Sequence, residues 1–114
     1  MNKKSTGFCY ERKAAEYLLS CGCNIIERNY RCKAGEIDLI VRDGSYLVFV
    51  EVKYRSTSAN GYGGEAVDFR KQNRIRKAAL WYMKEHHLSF EQPCRFDVIS
   101  FLGDEISIVK DAFQ

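Results

Sequence analysis

One hairpin constrains this chain more than any other feature. Residues 36 to 54 read EIDLIVRDGSYLVFVEVKY, two runs rich in Val, Ile, Leu and aromatic side chains on either side of Asp43-Gly44-Ser45. Such residues suit a pleated, buried surface, and Asp-Gly or Gly-Ser supplies a tight turn. Val48-Phe49-Val50 belongs in the middle of a sheet. Then the run changes character. Glu51, Lys53 and Arg55 fall at alternate positions, so they share one face of the strand. A core strand needs a reason to carry a glutamate and a lysine two residues apart.

Register supplies the reason. With Asp43-Gly44 as the loop, Asp38 lies opposite Phe49, and Glu51 is its diagonal neighbour. With Gly44-Ser45 as the loop, Asp38 lies directly opposite Glu51. Both registers put Asp38, Glu51 and Lys53 on one face, with Cβ atoms ~4.5–8 Å apart across the strands. Two carboxylates this close repel, more so in a partly dry site, and a divalent cation relieves the repulsion. Mg²⁺ or Mn²⁺ suits such oxygens and bridges readily to phosphate. Lys53 adds a positive charge beside the site, placed to hold a phosphate or an attacking water. A bare Glu-x-Lys is also very common, and Glu51 with Lys53 reads equally as a surface ion pair on an edge strand. Glu36 falls on the face of Asp38 and reads equally as a further metal ligand or as a solvated strand end.

Around the hairpin, residues 7–20 read as a helix with Phe8, Ala14, Ala15, Leu18 and Leu19 near one face. Residues 24–30 read as a strand. Residues 66–87 read as a second helix with a stripe of Val67, Ile75, Ala78, Ala79, Tyr82 and Met83. Residues 95–102 and 105–110 are two more strands, turning at Gly103-Asp104. The order is α-β-β-β-α-β-β, an α/β chain of the mixed-sheet α+β kind, with 1–114 as one domain. The Ser- and Gly-rich stretch 55–65 reads as a surface loop.

Composition narrows the class. With 46% hydrophobic and 29% charged residues, the chain reads as globular, not disordered. No apolar run approaches the ~18 residues that span a bilayer, and MNKKSTGFCYERK has no signal-peptide core, so a cytoplasmic location is expected. Cys9, Cys21, Cys23, Cys32 and Cys94 form no CxxC pairs and read as reduced, mostly buried thiols. A net charge of +3 says little alone; its distribution says more. RKQNRIRK, residues 70–77, holds five basic residues in eight. It reads either as a solvated helix face or as a phosphate-contacting face through Arg70, Lys71 and Arg74, with Gln72 near the reacting phosphate and Arg55 on the adjoining strand. Tyr54 and Tyr62 either stack on bases or simply pack. Asp97, in an apolar strand, is expected to partner an arginine. His86-His87 suits a helix end.

Glu11 is three residues after Phe8 and three or four before Ala14 and Ala15, within the apolar stripe of the first helix. A carboxylate there needs a partner. It is either a core salt bridge or a group aimed at Asp38 and Glu51.

Taken together, GEIDLIVRDG, LVFVEVKYRS, EAVDFRKQNRIRKAA and CRFDVI resemble the PD-(D/E)XK nuclease superfamily, with the restriction-endonuclease-like fold. Asp38 matches its first acidic residue, without the proline of the motif's name, and Glu51-Val52-Lys53 matches the (D/E)XK element. Within that superfamily the chain is similar to the small YraN-like bacterial family. Gly7-x-x-x-Glu11 is also similar to archaeal Holliday-junction resolvases. The resemblance implies catalytic Glu11, Asp38, Glu51 and Lys53, with Mg²⁺ or Mn²⁺ on Asp38 and Glu51. The implied reaction is phosphodiester hydrolysis in DNA, with branched DNA among the candidate substrates. Nucleic acid is the expected partner, DNA before RNA, with no membrane; a homodimer is left open. A nucleic-acid-binding module that keeps the fold without the chemistry is the alternative.

Overall fold

In the computed structural model, residues 3–55 and 67–114 are described. The stretch 56–66, including Tyr62, and the side chains of residues 3–8 and of Arg55 lie outside the described residues. The elements are α1 (Lys3–Ser20), β1 (Asn24–Cys32), β2 (Gly35–Asp43), β3 (Tyr46–Arg55), α2 (Phe69–Glu85), β4 (Cys94–Leu102) and β5 (Glu105–Phe113). This is the expected order, a mixed α/β arrangement. The strands form one five-stranded sheet in chain order, antiparallel except for the parallel pair β3 and β4. α2 is the crossover between those two, as a parallel connection requires.

The β2–β3 turn follows its residues. Asp43 pairs with Tyr46, leaving Gly44-Ser45 as a two-residue loop. Gly44 has φ 60° and occupies the first central position, where a type II′ hairpin turn takes glycine. Alternation along β3 then divides the core. Leu47 and Phe49 pack with Ile75, Ala78, Ala79 and Tyr82 of α2. Val48 and Val50 pack with Ala14, Ala15 and Leu18 of α1. The sheet is thus covered on both faces, and each buried Val, Leu, Ile or Phe among these contributes ~1.5–3 kcal/mol relative to exposure.

Several boundaries differ from the sequence reading. Leu19 is 50% exposed; it sits about 100° round the helix from buried Leu18, off the stripe. α2 begins at Phe69 because Asp68 is its N-cap and accepts a hydrogen bond from the Lys71 backbone N–H. Val67 is buried but precedes the helix. Of the five cysteines, all free, only Cys23 is buried and Cys21 is exposed, because Cys21-Gly22 forms the turn after α1.

Gly35 opens β2 against the second helix. A Cβ there would lie 3.2 Å from the Arg74 Cβ, and φ is 158°, rare for an L residue. Gly35→Ala is expected to destabilise the fold by at least ~1 kcal/mol, read as a lower urea midpoint. An unchanged midpoint would show that α2 yields without cost.

Candidate metal site

The site lies where the sheet forks. β2 and β3 stay paired from Asp43↔Tyr46 to Leu39↔Val50, and their ladder ends there. Beyond it, β2 remains with β1 through Gly35, and β3 remains with β4 through Arg55. The Gly44-Ser45 loop selects the register in which Asp38 and Glu51 are the next opposed pair. The Val52 N–H, released from the ladder, donates instead to Asp38 Oδ2 at 2.8 Å. By alternation, Glu51 and Lys53 both project toward the α2 side.

The two carboxyl groups share a dry corner. Glu51 is 4% exposed. Burial raises the Asp38 carboxyl to about 9; the charge of Glu51 and a side-chain hydrogen bond to it add to the rise, while the Val52 N–H works against it. Burial and the neighbouring Glu51 thus favour the protonated form of Asp38.

Glu11 reaches the same corner from α1. Ligand oxygens of Glu11, Glu36 and Asp38 lie within 4.8 Å of one another, so the three carboxylates could hold a metal ion. Glu11 Oε1 is buried without a hydrogen-bond partner. Burial raises the Glu11 carboxyl, Asn29 opposes that through a hydrogen bond, and Glu36 and Glu51 raise it further. Glu11 therefore sits beside Asp38 and Glu36. Glu36, exposed, also meets Arg31 at 3.4 Å.

Lys71 also reaches this corner. Its Nζ forms an ion pair with Glu51 Oε2. Burial works against its charge, but the Glu51 bond and the nearby Asp38 outweigh it and raise its pKa. Residue 71 sits on the first turn of α2 and reaches Glu51 from there. Gln72 is also committed: Nε2 donates to the Val67 carbonyl at 2.7 Å, and Oε1 accepts from Arg76 at 3.0 Å. It closes the helix start. Arg70 and Arg74 stay exposed. Tyr54 packs, stacking on Tyr10 with ring centroids 4.1 Å apart. Asp97 has the expected partner: Arg95 Nε donates to it at 3.0 Å, and the Asp111 N–H donates at 2.9 Å.

Sequence reasoning missed Asn29 and the Lys71 contact. Asn29 has φ 53° within β1, a conformation that asparagine tolerates better than most residues, but its type alone did not place it beside Glu11.

The donor set is all carboxylate oxygen, which suits Mg²⁺ or Mn²⁺ better than zinc. The buried, unpartnered oxygen of Glu11 fits a further ligand or a ligand's water. For Glu51 to serve as a ligand, its ion pair with Lys71 would have to yield.

Relatives match along nearly the whole chain. A protein of Lachnoclostridium phytofermentans named UPF0102 protein is 48% identical over 114 residues, covering 100% of this chain and 97% of its own. Another from Aeromonas hydrophila is 46% identical over 110 residues, covering 96% and 85%. One from Fusobacterium nucleatum, UPF0102 protein FN1370, is 43% identical over 111 residues, covering 97% and 92%. The family described as Uncharacterised protein family UPF0102 matches residues 10–101. An acidic corner at the fork of a mixed sheet, in a chain matched this fully, is thus seen in a protein that belongs to the UPF0102 family.

Proposed function

We propose that this protein is a metal-dependent nuclease of the PD-(D/E)XK kind, hydrolysing phosphodiester bonds in DNA. The observation that carries the reading is the opposed Asp38 and Glu51 at the fork, with Glu11 converging from the other helix layer. Mg²⁺ or Mn²⁺ held by these carboxylates would acidify a bound water and neutralise charge on the phosphate. Asp38 and Glu51 would supply oxygens. Lys53, two residues after Glu51 on the same face, would hold the phosphate or the attacking water. Glu11 would orient a water at the edge of the site.

The test is cleavage of linear, nicked, flapped and four-way DNA with Mg²⁺ or Mn²⁺, with Asp38→Ala as control. Metal-dependent cleavage lost in Asp38→Ala supports the reading. Cleavage that persists in Asp38→Ala comes from elsewhere and defeats it. A second reading, a nucleic-acid-binding module without chemistry, draws on the Lys71–Glu51 pair, which already neutralises one site carboxylate without a metal. Binding without cleavage of any of these DNAs would favour it.

Glu11→Gln separates role from packing. Glu11 Oε1 has no hydrogen bond to lose, so stability should hold or rise. Cleavage is expected to fall at least tenfold, about 1.4 kcal/mol of barrier. Full activity in Glu11→Gln would remove this residue from the chemistry.

A further inference from the structure

The outward face of α2 carries a pattern that the acidic site does not use. Arg70, Arg74, Lys77, Trp81 and Lys84 recur every three or four residues, so they line one stripe of the helix. Within Phe69–Glu85 the basic residues are Arg70, Lys71, Arg74, Arg76, Lys77 and Lys84, against a single acid, Glu85. Two of these cations are committed. Lys71 holds Glu51, and Arg76 bonds Asn73 and Gln72 and the Gln114 carbonyl. Glu85 is taken by the Tyr30 hydroxyl. Among the described residues, Arg70, Arg74, Lys77 and Lys84 form no ion pair.

The aromatic on this stripe is open. Trp81 is 46% exposed and its neighbour Leu80 is 59% exposed. Beside them is a shallow cavity of about 250 Å³, lined by Ala34, Lys77, Leu80, Trp81 and Lys84. Lys84 Nζ lies over the Trp81 ring, 5.4 Å from its centroid. An apolar slot with an indole wall and two lysines suits a flat heteroaromatic ring that carries phosphates on either side.

We propose that this face is a track for single-stranded nucleic acid, with Trp81 as the platform for one base and Lys77 and Lys84 on the flanking phosphates. The inference rests on the nuclease reading and gives its substrate a single-stranded arm. Lys71 ties the first turn of α2 to Glu51. Trp81 lies ten residues further on, ~15 Å along the axis at 1.5 Å per residue. Arg74 and Lys77 fall between them, so the stripe leads away from the acidic site. Its length suits the short end of single-strand sites, ~4 nucleotides. Cations repeated at turn intervals complement a repeated backbone charge better than a compact acidic peptide. A base inside a duplex offers no free face to the indole, which selects single strands.

The chain contains one tryptophan among seven tyrosines, so fluorescence excited at the red edge, where tyrosine does not absorb, reports this position alone. The probe is the oligonucleotide dT12, titrated into the full chain with Asp38→Asn to prevent cleavage. The expected result is quenching of Trp81 emission as dT12 binds. By anisotropy of labelled dT12, Trp81→Ala should weaken binding at least fivefold and Trp81→Phe should restore most of it. In the Lys77→Ala/Lys84→Ala double variant, the slope of log affinity against log salt should fall by about 0.7 for each phosphate no longer neutralised. Bound dT12 with unchanged emission overturns the proposal. So does binding of a 12-base-pair duplex without dT12, or quenching by an Asp- and Phe-rich peptide that dT12 does not produce. Cleavage of blunt duplex DNA by the unmodified chain is scored separately. Duplex cleavage with a silent Trp81 defeats the track alone, while quenching without cleavage of any DNA defeats the nuclease reading and leaves the track.

Discussion

In metal-free buffer, Asp38→Asn is expected to make this protein more resistant to heat, not less, and increasingly so as pH rises. The Asp38 carboxyl is raised to about 9 in the fold by burial first and Glu51 second, against an ordinary value near 4 when unfolded. The folded state therefore binds the extra proton. The contribution of this one group to stability is fully present below about pH 4 and is lost progressively as pH rises through about 9. Asparagine mimics the protonated acid: its carbonyl oxygen can accept from the Val52 N–H, and its amide can donate to Glu51. Each tenfold change in proton affinity is worth ~1.4 kcal/mol, and 1 kcal/mol moves Tm by roughly 4–8 °C in a domain of about this size. An increase of at least ~5 °C at pH 8 is expected, shrinking toward pH 4. Mn²⁺ or Mg²⁺ should raise Tm in the unmodified chain by mass action and do so less in Asp38→Asn. Differential scanning in chelator at pH 5, 7 and 8.5 reads all of this. An Asp38→Asn protein that melts below the parent at pH 8 would make the aspartate a structural partner instead.

The other large effect lies on the opposite flank of the sheet core. Asp97 is 1% exposed. Its carboxylate takes Arg95 Nε at 3.0 and 3.1 Å and the Asp111 N–H at 2.9 Å. Asp111 stands at φ 55°, close to the irregularity where β4 and β5 shift register between Phe96 and Val98. The carboxylate, itself buried, therefore satisfies both a largely covered cation and a backbone donor that the sheet ladder has released. Asp97→Ala leaves Arg95 with Asp43 alone, at 2.8 Å. Removing one partner of a buried pair costs ~3–5 kcal/mol, and chemical denaturation should register a loss in that range. A loss below ~1 kcal/mol would mean that water or Asp43 takes over.

What the sequence made legible was what neighbours decide. Alternation and the turn residues allow two hairpin registers, both with Asp38 and Glu51 on one face, and the structure selects the one with Gly44-Ser45 in the loop. Helix stripes placed Ala14, Ala15 and Leu18 inside, and Glu11 with them. Asp97 announced its need for a cation by being an acid in an apolar strand. The contacts that escaped are set by how a helix docks. Lys71 is twenty residues from Glu51, and its reach depends on where Asp68 starts the helix, two to three residues later than periodicity suggests. Gln72 reads as free because periodicity draws its backbone partner, Val67, into the helix itself. Asn29 meets Glu11 only through a local left-handed backbone in a strand. Leu19 shows the limit of a stripe read by eye: one residue past the face is already in water.

The fork has one more implication. Its acidic corner is assembled from both sides of the sheet, with Glu11 arriving from one covering helix and Lys71 from the other, over carboxylates on two strands that have just separated. Neither layer alone encloses it. Loosening either helix would scatter the charges before the strands themselves come apart, so amide exchange at Val52, whose hydrogen is held by Asp38, serves as a built-in gauge of whether all three layers are in place.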